Sequence, residues 1–467
     1  MRNPIPRRLL CSVLSGGVLL AVSCESGRFS RPLDDLSIRT PGSWTAVSNG
    51  SERRISSGWV AGLGDPRLTK TVDEALANNR NLKIAAARFR EARQVAIIGR
   101  SRSLPSASLS GSGATIDSSN SPNRDTYGLN LAAAWEPDLW GRLRDLNRAS
   151  DAEERAALED FRGARLSLAA NAAKAWCDLI SAEQEVALAD ITLESFEKNL
   201  RIIERNYVGT GEGALDIQFG RTNVSAARRA VEQRKQDREG AARTLEVLLG
   251  RYPSGTARAG KELPQLRGSV PAGIPADLLD RRPDLAAARV RLFASARRAD
   301  AARKALLPSF SITGNGGTST TRLADLLDAE GLITTLAGRF SQVITEGGAV
   351  AAEAQAALER NDAELNAYAQ SALIAFREVE TTLSADRSLA AQEIFLASEL
   401  EQAALAERQA ERDYSEGINP NILSVLEAQR RANNARASMI RLRNQRLQNR
   451  IDLHLALGGD FQTQPTG

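Results

Sequence analysis

The chain has 467 residues and a formal net charge of +4. Residues 1–23 contain three arginines and no acidic residue, so the rest of the chain is close to neutral. A nearly neutral chain has no electrostatic reason to bind nucleic acid, and we therefore expect no nucleic-acid partner.

The N-terminus has the features of a bacterial export signal. Three arginines within the first eight residues precede the apolar run Leu9–Val22, which is shorter than the ~20 residues of a membrane-spanning helix. Ala21-Val22-Ser23 then leads to Cys24, and this string resembles the lipobox of bacterial lipoproteins. We expect cleavage before Cys24 and a covalent lipid on this cysteine. Apart from this lipid we expect no cofactor. Glu25 stands where an aspartate commonly retains lipoproteins in the inner membrane, which favours the outer membrane. An ordinary signal with an incidental cysteine is the alternative.

An internal repeat organises the rest of the chain. Asn81-Leu82 leads through a helical pattern to Leu104-Pro105-Ser106, and Asp284-Leu285 leads in the same way to Leu307-Pro308-Ser309, 203 positions later. Leu249-Gly250 and Leu457-Gly458 match at an offset of 208. We predict a signal peptide at 1–23, a lipid-anchored extension at 24–65, a first repeat at 66–262, a linker at 263–283, a second repeat at 284–459 and a tail at 460–467.

Each repeat contains one very long helix. No proline occurs from Arg142 to Tyr207 or from Ala349 to Tyr414, and a helix of that length would span ~100 Å. Heptad spacing recurs in both halves: Leu358, Leu365, Ala372 and Val379 in the second, and Ile217, Val224, Val231 and Leu245 in the first, where Arg238 interrupts the series. Such narrow apolar stripes pack helices side by side, but they are equally typical of an ordinary coiled coil.

Four short segments alternate apolar with small or polar residues, at about 106–116, 126–135, 309–318 and 333–344. Each has the length of a tilted strand that crosses an outer membrane, with apolar residues towards lipid and polar residues towards a lumen. Four strands are too few to close a barrel, and open edges are not tolerated in lipid. Three copies would supply twelve strands. The alternative is a small soluble sheet at the end of a coiled coil.

The sequence offers no catalytic constellation. The single histidine, His454, lies in an apolar helical tail, and Cys177 lies within a helix without a histidine nearby in the sequence. A packing role is the expected one for both. No glycine-rich phosphate loop and no Cys/His cluster with metal spacing occurs, so we expect neither an enzyme nor a bound cofactor.

Several strings resemble the TolC-type outer membrane efflux proteins, most closely the NodT/OprM-like lipoprotein branch. They are Trp135-Glu136-Pro137-Asp138-Leu139-Trp140-Gly141-Arg142, Leu279-Asp280-Arg281-Arg282-Pro283-Asp284-Leu285, Leu307-Pro308-Ser309, and Tyr414-Ser415-Glu416-Gly417 followed by Val425-Leu426-Glu427-Ala428-Gln429-Arg430. The resemblance covers nearly the whole mature chain. It implies a mainly α-helical homotrimer with a membrane part, a twelve-stranded β-barrel in the outer membrane, on a long periplasmic α-helical barrel.

The resemblance also implies partners and functional positions. A periplasmic adaptor would contact the helix–turn–helix tips at Gly209, Gly211, Gly417 and Asn419, and an inner-membrane transporter of the resistance–nodulation–division type would drive export. Leu423 and Glu427 match the family's pore gate, one helical turn apart. The second tip is one residue longer than usual, so the gate could shift to Ile422 and Leu426. The fourth strand also lacks the family's aromatic-proline ending.

A gate of this kind has electrostatic consequences. Threefold symmetry would bring three Glu427 carboxylates together, which favours cations in the pore and proton uptake at a higher pH than for an isolated glutamate.

Two other functions stay open at this point. One is a structural periplasmic coiled-coil lipoprotein without a pore, which would need no strands with a lipid-facing side. The other is the outer-membrane duct of a type I protein secretion system. The exported cargo is not readable from the sequence, because selection in such pumps occurs mainly in the transporter.

Overall fold

The structure is a computed structural model that describes residues 42–46, 58–118, 121–210, 214–266, 268, 270–416, 418 and 421–460. Two successive halves follow one plan: a helix, a pair of strands, a very long helix and a shorter helix. The first half contains α1 (Trp59–Gly62), α2 (Pro66–Asn78), α3 (Arg80–Ser101), β1 (Ser106–Ser118), β2 (Ser121–Trp135), α4 (Arg142–Thr210) and α5 (Ala214–Leu248). The second contains α6 (Leu278–Arg281), α7 (Pro283–Lys304), β3 (Ser309–Thr320), β4 (Ile333–Ser341), α8 (Ala349–Ser415) and α9 (Ile422–Ala456).

Local sequence signals set the helix ends. Asp65 accepts a hydrogen bond from the Arg67 amide at 2.8 Å, directly before Pro66 begins α2. The Asp138 carboxylate accepts from the amides of Leu143 and Arg144 at 3.1 and 2.7 Å, so it satisfies donors in the first turn of α4. Gly141, with φ 76°, allows the bend between the end of β2 and this helix.

The strands form one antiparallel sheet in the order β1-β2-β3-β4. β2 begins at Ser121, five residues before the expected start at 126, because its first residues also pair with β1. β4 ends at Ser341, three residues before the expected end at 344. The reason lies in its neighbour: Ser309, the first residue of β3 after Pro308, pairs with Ser341, so residues 342–344 lie beyond the end of the strand that β4 pairs with in the described chain.

The main apolar core lies where α2, α4, α5 and α9 meet. Leu179 and Ile180 of α4, Leu245 of α5 and Ile451 of α9 are fully buried there. A second core joins α8 and α9 to Leu285 of α7 and to the short segment around Trp44. Alanines are frequent in both, which lets the helix backbones approach closely.

Most positions of the expected seams are buried, and Arg238 differs from the expectation. Leu365, Ala372 and Val379 of α8 are buried, and Leu358 is half-buried. Arg238 of α5 does not break the seam: it is buried, and its Nη1 donates to the carbonyl of Gly255 at 2.8 Å while Nη2 donates to that of Ala257. Its long side chain reaches through the seam to fasten the loop that follows α5.

Candidate functional site

The first turn of α9 is anchored to the neighbouring long helices. The Asn421 side chain accepts a hydrogen bond from the Leu423 amide at 3.0 Å and so caps the helix. Ile422 and Val425, each 2% exposed, pack with the buried Ile203 of α4, and Leu426 packs against the same cluster. This contact holds the start of α9 in one rotational setting.

Leu423 and Glu427 lie away from that cluster. Leu423 is 51% exposed and Glu427 is half-exposed, one helical turn further along. Ile422, which would belong to the gate if it were shifted by one residue, is instead buried between α9 and α4. Within the chain, the free face of α9 therefore carries Leu423 and Glu427.

Two arginines surround the Glu427 carboxylate. Arg430 donates to it through Nε and Nη2, both at 2.8 Å, and Arg431 donates through Nε at 2.7 Å. The hydrogen bonds from Arg431 and Arg430 lower the pKa of Glu427, although the group is exposed to solvent. This direction is opposite to the one expected for a ring of bare carboxylates, because each chain brings two guanidinium groups to its own carboxylate.

A buried polar network lies two turns along α9, which the sequence analysis did not identify. Gln429 is 1% exposed, and its Nε2 donates to Ser195 Oγ at 3.1 Å and to Glu411 Oε1 at 2.7 Å. Asn199 Nδ2 donates to Gln429 Oε1 at 2.8 Å. One amide thus joins α4, α8 and α9. The sequence did contain one indication that Gln429 is buried: it lies in helical register with Val425 and Ala432, which are both buried.

The predicted adaptor contacts fall where little is described. Gly209 is in the last two residues of α4, while Gly211, Gly417 and Asn419 lie outside the described residues, as does the predicted lipidation site Cys24.

The sheet has two different faces, fixed by its register. One face carries the paired residues Leu109 and Leu131, Trp135 and Ile312, and Phe310 and Phe340. The other carries polar and small residues, among them Ser108, Asn130, Ser311, Thr313 and Thr335. Leu109, Leu131, Leu336 and Phe340 are all more than half exposed in the single chain. β1 and β4 are the edges of the described sheet.

Two tryptophans lie at the junction of the sheet with the helices. Trp135 Nε1 donates to the carbonyl of Ser103 at 3.1 Å, and Trp140 Nε1 donates to that of Pro308 at 2.6 Å. Their rings stay 39% and 45% exposed. A ring with a satisfied N–H and an exposed apolar body suits a bilayer boundary.

Cys177 and His454 are both buried among packed helices. Burial, followed by the charges of Asp178 and Asp65, raises the pKa of Cys177 to about 12, so the thiol stays protonated. Burial and then Arg450 lower the pKa of His454 to about 4, and its ring stacks on Trp59 with centroids 5.5 Å apart. In the described ranges, no three His, Cys, Asp or Glu side chains are grouped so as to hold a metal ion.

Within the part of the chain that the structure covers, none of the helices is both long and apolar enough to cross a membrane.

An amphipathic sheet with two free edges, joined to helices of 69 and 67 residues, defines a channel-forming protein assembled from several copies of one chain. The sequence model of the family described as outer membrane efflux protein matches residues 71–251 and 274–459. The chain belongs to this family.

Individual relatives are similar over most of their length. The outer membrane protein OprJ of Pseudomonas aeruginosa is 31% identical over 415 residues, which are 86% of each chain. The pyoverdine export outer membrane protein OpmQ of Pseudomonas putida is 29% identical, over 91% of this chain and 93% of its own. The open state of the MtrE outer membrane channel of Neisseria gonorrhoeae superimposes with a TM-score of 0.80 at 26% identity, over 92% of this chain and 98% of that one.

Fold class and function follow from this membership. The chain is an outer-membrane channel of an efflux pump, a homotrimer with a β-barrel part and a helical barrel that extends into the periplasm. The family consists of channel proteins, not enzymes. Its members work with a periplasmic adaptor and an inner-membrane transporter.

Proposed function

We propose that this channel is the passive exit duct for a resistance–nodulation–division transporter, and that cargo enters through the helical barrel after the adaptor has engaged the tips. The observation that carries this proposal is the length of α4 and α8, 69 and 67 residues, which corresponds to ~100 Å along each helix. Helices of this length reach far into the periplasm from the sheet. The lipobox-like string before Cys24 and the Arg281-Arg282-Pro283-Asp284 linker favour this transporter type over type I secretion.

Leu423 and Glu427 are the proposed gate at the periplasmic mouth. Two facts support them: both lie on the free face of α9, and the burial of Ile422 argues against a shift of the gate by one residue. In a trimer, three Leu423 side chains around one axis would resist wetting, while three Glu427 groups and their arginines would form a charged layer.

The test is conductance in planar bilayers. We expect the double variant Leu423→Ser, Glu427→Ala to conduct severalfold more than the wild type, because the apolar ring is lost. Its ion preference should shift away from cations, since Arg430 and Arg431 stay while the carboxylates go. Cells that express it should take up more vancomycin.

A matched control removes the same residue types from other positions near the tips. Leu215, 64% exposed at the start of α5, and Glu416, exposed after α8, can be changed to serine and alanine. This control should conduct as the wild type does. Unchanged conductance and selectivity in the Leu423/Glu427 variant would show that these residues do not line the constriction.

We also propose that Cys24 carries the lipid anchor. The segment 44–46 is fastened to α8, since the Thr45 and Ala46 amides donate to the Glu380 carboxylate at 2.7 and 2.9 Å. Trp44 Nε1 also donates to the carbonyl of Ala272, in the connection between α5 and α6, at 3.2 Å. α8 begins at Ala349, close to the sheet, and Glu380 lies about 46 Å further along this helix. The twenty residues from Cys24 to Trp44 can span up to about 70 Å, which is enough to return to the membrane.

Mass spectrometry of the membrane-extracted protein tests the anchor. We expect residues 1–23 to be absent and the first residue to carry acyl chains. Cys24→Ser should lack the lipid but still form trimers, because the barrel is a second attachment. An unmodified Cys24, or a mature N-terminus elsewhere, would contradict the proposal.

A further inference from the structure

The polar face of the sheet carries an unbalanced positive charge. Among the described strand residues, its only charged side chains are Arg124 and Arg339, and it has no carboxylate. Arg339 pairs with Ser311 across β3 and β4, and it is two residues from Ser341, where β4 ends. At ~3.4 Å per residue, Arg339 is therefore about 7 Å from the helical end of the sheet.

Among the residues that the structure describes, no acidic group neutralises Arg339. The acidic residue closest to Arg339 in the sheet register is Glu136. It directly follows Trp135 of β2, and Trp135 pairs with Ile312, the neighbour of Ser311. The Glu136 carboxylate already accepts from Arg142 Nη2 at 2.7 Å. In the described part of the chain Arg339 has neither a hydrogen bond nor an ion pair, and its side chain is exposed.

We propose that three copies of Arg339 form a cationic ring at the inner end of the barrel lumen, which makes the outlet favour anionic solutes, such as molecules with carboxylate, sulfonate or phosphate groups, over cations. The inference rests on the proposed duct. The polar face must line the lumen, because the face with Leu131, Leu336 and Phe340 suits lipid. Arginine rings favour anions in pores, and a guanidinium keeps its charge at every physiological pH.

This ring and the proposed gate act in series on charged cargo. The Glu427 carboxylate is already matched by Arg430 and Arg431, so the gate layer does not impose the strong cation preference of bare carboxylates. An anion that passes the gate would then meet the Arg339 ring, where the lumen has no acidic group on the described strands to oppose it.

A cysteine probe beside Arg339 tests the local potential in the assembled trimer. Ser311→Cys is placed opposite Arg339, and its labelling rates with an anionic (sulfonatoethyl) and a cationic (trimethylammonioethyl) methanethiosulfonate are compared with those of a free thiol. One unit charge at about 6 Å in 0.1 M salt should favour the anionic reagent about fourfold. In Arg339→Gln the ratio should fall to near one, and Arg339→Lys should restore it.

Arg322→Gln is the matched control, since Arg322 is 77% exposed in the connection between β3 and β4 and lies outside the strands. It should keep the anionic preference. A labelling ratio that is the same with Arg339 and with Arg339→Gln would overturn the cationic ring and leave the duct intact. If Ser311→Cys in intact trimers reacts with neither reagent, the polar face does not line a lumen, and the proposed duct fails as well.

Discussion

Asn79 and Arg282 hold equivalent positions before α3 and α7, and both fasten the end of a distant helix. Asn79 Nδ2 donates to the carbonyl of Leu248 at 2.9 Å, and Arg282 Nη1 donates to that of Ala456 at 3.2 Å. Arg282 has no acceptor for capping α7, and instead forms ion pairs with Asp284 and Glu378. The repeat thus preserves a contact with the backbone, and the residue that makes the contact differs.

The matched glycines of the repeat have a steric reason. Gly250 and Gly458 adopt φ values of 71° and 66° after α5 and α9. A Cβ at Gly250 would lie 2.8 Å from the Asn78 carbonyl oxygen, and one at Gly458 would lie 2.9 Å from that of Arg281. α5 ends against the last residue of α2, and α9 ends against the last residue of α6. Only glycine fits at these two helix ends.

Glu246 holds the loop after α5 in place, and we expect Glu246→Gln to destabilise the protein. Its carboxylate accepts from the amides of Gly255, Thr256 and Ala257 at 2.7–2.9 Å and from Ser254 Oγ at 3.0 Å. Burial alone would raise the pKa of Glu246, but these hydrogen bonds lower it overall. Loss of the charged acceptor should cost about 2 kcal/mol at pH 7, measured as a lower midpoint of thermal unfolding in detergent.

The pH dependence of this effect has a definite sign. A carboxylate whose pKa is lowered by folding stabilises the native state above its unfolded pKa of about 4.3, and the contribution is lost as the pH falls through the folded pKa. The difference in stability between the wild type and Glu246→Gln should therefore become smaller below about pH 4. Glu239→Gln, in an exposed pair with Arg243, should change little. A stability difference that does not change with pH would contradict the role of the Glu246 charge.

At the scale of elements, the start of α9 is oriented by its buried face. Ile422, Val425, Gln429 and Ala432 follow helical spacing and face α4 and α8, so Leu423 and Glu427 are left on the opposite side. The Gln429 network adds directional hydrogen bonds to this packing, which fixes the rotation of the helix more narrowly than apolar contacts alone.

The turns at the ends of the long helices are the expected contacts of the adaptor. A bulky residue at Gly417 should block close approach of another helix, so Gly417→Trp should lose cross-linking to the adaptor and drug export while trimers still insert. Adaptor cross-linking in cells and an export assay measure this.

Gly331→Trp provides the same bulk elsewhere. A Cβ at Gly331, between β3 and β4, meets no atom within 4 Å, so this variant should cross-link and export normally. Normal cross-linking by Gly417→Trp would show that the tip is not the contact.

At the scale of the whole molecule, the edges of the sheet demand other copies of the chain. Strands β1 and β4 leave unpaired backbone groups that lipid cannot satisfy. We therefore expect light scattering in detergent to give three times the mass of one chain. A monodisperse monomer with its full strand content would be incompatible with a barrel shared among copies.

Neighbouring residues of β4 allow a controlled test of the two faces. Leu336→Arg places a charge on the apolar face, where Leu336 is 81% exposed, and should reduce the yield of membrane-inserted trimers. Thr335→Arg places the same charge on the polar face and should assemble normally. Equal yields would mean that the apolar face does not contact lipid.

The sequence determined the elements, because their causes are local. Absence of proline and a sustained heptad pattern allow α4 and α8 to continue for more than 65 residues, and alternation with a period of two marks the strands. These patterns, with the repeat, were sufficient for the helices and for the two faces of the sheet. The end of β4 was missed because it depends on where β3 begins.

Only the tertiary structure decided what the polar residues do. The sequence predicted that Arg238 interrupts a seam, but its guanidinium donates hydrogen bonds to carbonyl groups of the loop that follows α5. The contacts of Glu427 are a different case: Arg430 and Arg431 lie three and four residues later on the same helix, so helical spacing alone could have predicted them. Periodicity records which side of an element is buried, whereas the partner of a charged or amide group depends on distances between segments that are far apart in the chain or on rotamers that packing selects.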